Sequence, residues 1–303
     1  MPNVESKNIS ISWQLWHFVV HLRWHYQLFI LSGGFLLGGF LSTDLNIRAF
    51  LIQFGNVHLV LFGGATAYNS FWDKDEGPIG GLQNPPKMQE WMWSGSLILQ
   101  GMGLLIATTQ GVLYTGIYML SMFCFWLYST PLARWKSYPL KSLVAIGVST
   151  GFNSVLMGYL AAGNELIDMP VWVAAAGVTL MLLSLYPISQ IYQIEEDHSR
   201  GDTTFAVRYG KKGVTQFFIT AFLSGLLLAG LAMGVSHFWV AILFGGMGVI
   251  VGMIVFVLLK KLSTKSEDYS LVMWIKYGTS MAFVLFLVGA IILKHSKIME
   301  YLG

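Results

Sequence analysis

Residues 92–129, MWSGSLILQGMGLLIATTQGVLYTGIYMLSMFCFWLYS, contain no charged side chain. A membrane-spanning helix needs only ~20 residues, so this stretch is too long for one crossing. Gln110-Gly111 is the natural place for a tight turn, because glycine tolerates backbone conformations that other residues resist. The stretch therefore reads as two spans, 92–109 and 111–129. Comparable apolar runs fall at 26–43, 49–68, 140–162, 170–190, 213–235, 238–259 and 273–293. Together they predict about nine spans of ~20 residues each.

Composition agrees. The chain is 55% hydrophobic, 15% aromatic and only 11% charged, with a mean hydropathy of +0.61. Such values exclude an ordinary soluble domain and indicate an all-α polytopic membrane protein. No linker rich in Pro, Gly or Ser divides it, so residues 1–303 read as one integral-membrane domain. Glycines such as Gly33, Gly34, Gly38, Gly39, Gly63, Gly64, Gly101 and Gly103 recur inside spans, where they allow close helix packing. The single cysteine, Cys124, lies in an apolar run and reads as a small core residue, with neither a disulfide nor a thiolate metal site. Polar residues open the chain without a small-residue cleavage site, so no cleaved signal peptide is expected. A net charge of +3 gives no reason to expect a nucleic-acid partner.

Orientation follows from Lys and Arg. With the N-terminus in the cytoplasm, the cytoplasmic segments carry Lys7, Arg23, Lys74, Lys87, Arg134, Lys136, Lys141, Arg200, Arg208, Lys211, Lys212, Lys260, Lys261 and Lys265. The other side carries Arg48, Lys294 and Lys297, and Lys276 stands near the cytoplasmic start of the last span. The positive-inside rule then predicts a cell-membrane protein whose charged loops face the cytoplasm.

Two acidic clusters interrupt the apolar text on that face: Asn69-Ser-Phe-Trp-Asp73-Lys-Asp75-Glu76 and Gln193-Ile-Glu195-Glu196-Asp197. Acids beside a membrane core are expensive unless a cation holds them. On a helix, Asn69 and Asp73 share a face, as do Gln193 and Asp197, each pair at i and i+4. Hard oxygen donors at this spacing suit Mg²⁺, which binds through one or two carboxylates plus substrate phosphates. A solvated acidic loop is the plain alternative for either cluster alone. A basic loop follows the fourth span: Tyr128-Ser-Thr-Pro131-Leu-Ala-Arg134-Trp-Lys136, then Lys141. Arginine offers a fork and lysine a point charge for phosphate oxygens, although topology alone accounts for some basic residues here. Before the first span, His17, His21 and His25 recur at helical spacing among tryptophans. An interfacial polar stripe explains them better than a metal site, since no carboxylate accompanies them.

These motifs, in this order, resemble the UbiA superfamily of intramembrane prenyltransferases. The resemblance rests on Asn69-x3-Asp73, on the stretch from Tyr128 to Lys136, and most on Gln193-Ile-Glu-Glu-Asp197-His-Ser-Arg200-Gly201-Asp-Thr-Thr204-Phe-Ala-Val-Arg-Tyr-Gly210. Arg23 also resembles an early arginine of the family. The resemblance covers essentially the whole chain and implies a helical bundle around a central cavity. It also implies transfer of a polyprenyl group from a prenyl diphosphate to a membrane-associated acceptor of unknown identity, with Mg²⁺ as cofactor. It implies Asn69, Asp73, Asp75, Gln193, Glu196 and Asp197 as candidate metal ligands. Arg134, Lys136, Arg200 and Arg23 are the implied diphosphate contacts, with Tyr128 near the reacting carbon. Three departures stand out. Gln193 replaces the usual acid, Ser70 replaces an expected Asp, and Gly77 stands where a later acid is usual, with Asp75 and Glu76 displaced toward it. Two further readings stay open: a terpene cyclase of the same fold, and a non-catalytic protein that binds prenyl lipids.

Overall fold

In lipid a backbone has no water to bond, so each crossing segment closes its hydrogen bonds within itself as a helix. The computed structural model describes residues 10–74 and 77–296, and its named elements are all helical. They run α1 (Ile11–His21), α2 (Trp24–Ile30), α3 (Gly33–Leu41), α4 (Ile47–Asp73), α5 (Trp91–Ala107), α6 (Val112–Ser129), α7 (Pro139–Ala161) and α8 (Met169–Leu185). Then come a 3₁₀ turn (Pro187–Gln193), α9 (Ile194–Ser199), α10 (Phe205–Gly234), α11 (Phe238–Lys261) and α12 (Tyr269–His295).

Among the described residues, 7 helical segments are long and apolar enough to cross a membrane. The two other expected crossings are helical but shorter. The run 92–109 forms α5, only 17 residues long. The run 26–43 is split between α2 and α3 at Ser32, whose buried hydroxyl bonds the Leu28 carbonyl at 2.6 Å. That side-chain bond competes with the helix ladder, and Gly33-Gly34 behind it let the chain change direction. The turn at Gln110-Gly111 is present, with Gly111 in the left-handed region at φ 95°.

Large apolar side chains such as Leu227, Leu231, Trp239, Leu243 and Ile250 face outward, more apolar surface than a soluble monomer exposes. Inside, backbones touch. A Cβ on Gly158 of α7 would lie 2.0 Å from the Phe35 carbonyl oxygen of α3, and one on Gly38 would lie 2.1 Å from Val155 O. Gly177 of α8 and Gly225 of α10 face each other in the same way. Of the glycines named from sequence, Gly33 and Gly101 meet nothing within 4 Å and are not packing glycines.

Two helices carry a π-helical segment, Asn56–Phe62 in α4 and Gly147–Phe152 in α7. Their polar side chains bond across helices. Asn56 donates to the Gly103 carbonyl at 2.9 Å, and Asn153, just after the second segment, donates to Ser121 at 2.9 Å. Cys124 is buried and unbonded to another cysteine. Ahead of the bundle, α1 exposes Ile11, Trp13, Leu15 and Trp16, the apolar face of an interfacial helix.

Gly158→Ala is expected to destabilise the protein by roughly 1–3 kcal/mol or more, because the added carbon meets backbone that cannot rotate away. Gly101→Ala, in open space, should be neutral or slightly stabilising. Thermal unfolding of the two variants in detergent checks the contrast.

Candidate active site

Helix α4 continues well past its apolar stretch and ends at Asp73, so Asn69 and Asp73 project from its last turns. Lys74 stops it in a left-handed conformation at φ 50°. On the other side of the site, the 3₁₀ turn presents Gln193 and α9 presents Asp197. All four side chains line one chamber of about 240 Å³, together with Arg23, Tyr128, Lys136 and Arg200. The chamber brings together two clusters more than a hundred residues apart in the chain. Asp75 and Glu76 lie outside the described residues.

Lys136, from a short 3₁₀ turn after α6, forms an ion pair with Asp73, both side chains about nine-tenths buried. Asn69 donates to Ser129 at 3.1 Å. Asp197 accepts from the Thr204 hydroxyl at 3.0 Å. The Tyr128 and Tyr186 hydroxyls are 2.9 Å apart. Two of the expected residues point elsewhere. Glu196 is not on the chamber wall and accepts from Arg200 at 2.6 Å, an exposed pair of i and i+4 geometry. Arg134 is also off the wall. Its Nε and Nη2 donate to the two oxygens of Asp202 at 3.1 and 2.9 Å.

Asp202 is the hinge of this end of the bundle. Besides Arg134 it accepts from Ser137 at 2.5 Å, while the Thr203 amide donates to the Ser137 carbonyl at 3.1 Å. Burial works against its charge, but the hydrogen bonds from Arg134 and Ser137 outweigh that and hold Asp202 below the ordinary carboxylate range.

A cap covers the chamber. Residues 77–86 fold over a small bridge between Ile79 and Leu82, and Ile79 and Gly80 form part of the chamber wall. Four side chains hold the cap by its carbonyls. His21 Nε2 lies 2.7 Å from Pro86 O and His25 Nε2 3.1 Å from Gly81 O. Tyr192 reaches Pro78 O at 3.4 Å and Tyr269 reaches Ile79 O at 3.2 Å. A carbonyl only accepts, so those imidazole nitrogens carry the proton. Two of the three stripe histidines, His21 and His25, thus serve as tethers of the cap.

Sequence reasoning did not single out Tyr26, Tyr186, Gln190, Asp202 or Lys276, all set at the chamber. Asp202 sits within the quoted motif, but nothing in its spacing marks it as the partner of Arg134. Among the described residues, no three His, Cys, Asp or Glu side chains form a metal cage. Mg²⁺ does not require one, because it keeps waters and takes oxygens from substrate phosphates. The chamber's oxygen donors, Asn69, Asp73, Gln193 and Asp197, fit such an ion.

A family model described as the UbiA prenyltransferase family matches residues 28–277. The chain is 27% identical over 129 residues to a 2-acylphloroglucinol 4-prenyltransferase of Humulus lupulus, covering 41% of this chain and 31% of that protein. The match therefore spans about a third of the length of that curated relative. A UbiA homologue from Archaeoglobus fulgidus, bound to GPP and Mg²⁺, superposes with a TM-score of 0.70 at 13% identity, covering 91% of this chain and 99% of the other. A digeranylgeranylglyceryl phosphate synthase structure gives a TM-score of 0.65 at 22% identity, covering 92% and 99%.

Asp202→Asn should lower stability near neutral pH by roughly 1.5–3 kcal/mol, the usual worth of hydrogen bonds to a charged group. A carboxylate held low stabilises the fold above its unfolded value and loses that contribution as pH falls through its folded value. Below about pH 4 the variant and the parent should therefore converge. Melting temperatures across pH in detergent read this out.

Proposed function

As the chain belongs to the UbiA prenyltransferase family, we propose that it transfers a prenyl group from a prenyl diphosphate to a membrane-associated acceptor, at the cytoplasmic face of the membrane. One observation carries the reading. Carboxylates from two distant segments, Asp73 and Asp197, line the same chamber as the cations Lys136 and Arg200. The chamber also adjoins an apolar cavity of about 70 Å³, sharing Ile30, Leu31, Leu182 and Leu185 with it. Charge lies at one end and grease at the other, which suits an amphiphile with an anionic head.

Asn69 and Asp73, with Gln193 and Asp197, would hold Mg²⁺, which when bound supplies positive charge against the departing diphosphate. Lys136 and Arg200 grip the same phosphate oxygens. For Lys136 this exchanges the Asp73 carboxylate for phosphate, so the buried ammonium keeps an anionic partner throughout. Arg200 leaves only an exposed pair with Glu196, of the kind worth at most about 1 kcal/mol. Arg134 acts from behind, fixing the loop that carries Lys136 through Asp202. The prenyl tail lies in the apolar cavity, against Leu37, Phe222, Phe244 and Phe283.

The allylic carbon–oxygen bond breaks with its electron pair leaving on the diphosphate. The resulting cation faces Phe62, Phe125 and Tyr128, all on the chamber wall, whose ring faces stabilise it without attacking. An electron-rich carbon or hydroxyl of the acceptor then forms the new bond and releases a proton. Gln193 contributes a carbonyl oxygen where an acid would add charge, so metal binding rests chiefly on Asp73 and Asp197.

Asp73→Ala and Asp197→Ala should each lower diphosphate release from geranyl diphosphate with Mg²⁺ by roughly 10²-fold or more. The assay uses purified protein in lipid with hydroxyaromatic and alkylglycerol phosphate acceptors. Absence of release by the parent protein with any of these would overturn the reading in favour of a prenyl-lipid-binding protein.

A further inference from the structure

Helices α10 and α11 meet outside the chamber through a lysine. The Lys211 ammonium, near the start of α10, donates to the Lys260 carbonyl at 3.0 Å and to the Leu262 carbonyl. These carbonyls close α11, whose negative dipole end suits a cation. The contact gathers Arg208 and Lys212 from one segment and Lys260, Lys261 and Lys265 from the other, all within three residues of it. Gly210, at φ 61°, bends the chain between Arg208 and Lys211. These five basic residues are exposed, and among the described residues none has a carboxylate within ion-pair distance. Neither α10 nor α11 contains an acid. In the loop that follows, Asp268 is buried and accepts from the Ser263 and Thr264 amides, both at 2.7 Å. That leaves Glu267 as the one exposed acid of residues 260–268. Cations gathered in this way repel one another unless an anion lies among them.

The position of the cluster identifies the anion. α11 is the least buried of the seven long apolar segments. Its side chains just below the cations, Met253, Ile254 and Val257, face outward. The Lys260 ammonium lies 4.4 Å from the centre of the Phe256 ring, one turn back toward the apolar part of the helix. A lysine at the rim of a membrane behaves in this way, its stem in grease and its head in water. Apolar surface below and positive charge above match a molecule with acyl chains and an anionic head. A nucleic acid, an acidic protein or a free phosphate would meet the cations and leave the apolar side chains beneath them unused.

We propose that Arg208, Lys212, Lys260, Lys261 and Lys265 form a docking surface for the head groups of anionic phospholipids of the surrounding bilayer, whose acyl chains lie along α11. The surface is separate from the chamber and does not depend on the transferase reading. Each cation near such a head group strengthens binding about fivefold. The lipid neutralises the cluster and so holds α10 against α11, directly after the segment that carries Asp197 and Thr204.

The test titrates phosphatidylglycerol and phosphatidylcholine of equal chain length into the full-length protein in detergent and follows its melting temperature. The parent protein should bind the anionic lipid more tightly by about tenfold or more. A triple variant, Lys212→Gln with Lys261→Gln and Lys265→Gln, removes three side chains that hold no bond in the fold. It should reduce the preference to about twofold or less. The same three positions changed to Arg should keep it. Without lipid the glutamine variant should melt at or above the parent's temperature, since repulsion is relieved, and this verifies that it folds. Arg48→Gln, exposed at the start of α4 and thus at the opposite end of the bundle, should leave the preference intact. Equal binding of the two lipids, an undiminished preference in the glutamine variant, or an equal loss in Arg48→Gln would overturn the assignment. So would stabilisation by glycerol phosphate, which has no acyl chains, to the same extent as by the anionic lipid.

Discussion

Asp73 and Lys136 meet where a membrane helix gives way to water, and that ion pair fixes the rest of this end of the molecule. Apolar side chains cannot do the same work in lipid, because acyl tails solvate leucine as well as another helix does. Orientation of one helix against another falls to close backbone contact and to polar bonds. Here Asp73 joins the end of α4 to the turn after α6 through Lys136, and Arg134 joins that turn to Asp202 ahead of α10. Removing one partner of such a buried pair strands the other, at about 3–5 kcal/mol. The arrangement is therefore stable while both charges are present and responsive to a competing anion. In the proposed function a diphosphate with its metal would supply both signs at once, redistributing charge without leaving a buried group alone.

The interior of the bundle obeys a different constraint. Helices that touch at Gly38 with Gly158, and at Gly177 with Gly225, bring backbones too close for side chains. Space for a chamber must then come from irregularity. The break at Ser32 and the π-helical segments of α4 and α7 supply it, since each shifts side chains away from the regular 3.6-residue register. Leu31 and Thr150, beside or within these irregular segments, are also on the walls of both cavities. Packing and cavity thus have separate sources within the same helices.

Much of this was legible from residues alone. Asn69 with Asp73, and Gln193 with Asp197, announced themselves because helical spacing turns a sequence interval into a shared face. The turn at Gly111 followed from a length limit. What stayed hidden was direction. Glu196 and Arg134 have the chemistry of the site, but nothing in sequence says that one turns to Arg200 and the other to Asp202. Lys276 and Tyr26 are separated by 250 positions, so nothing local in the sequence pairs them. The split of the first span was obscured for a related reason: Gly33-Gly34 reads equally well as a packing surface and as a hinge.

The hydrogen bonds that hold the cap over the chamber reach it through the main-chain carbonyls of Pro78, Ile79, Gly81 and Pro86. Carbonyls are common to every residue, so the tethers His21, His25, Tyr192 and Tyr269 grip the path of the cap more than its side chains. Two positions are the exceptions: Ile79 buries its side chain in the chamber wall, and Gly81, at φ 84°, leaves no room for a side chain beside His25. The charged end of the chamber and the cap that closes it are thus held by separate sets of contacts, ion pairs for the one and main-chain tethers for the other.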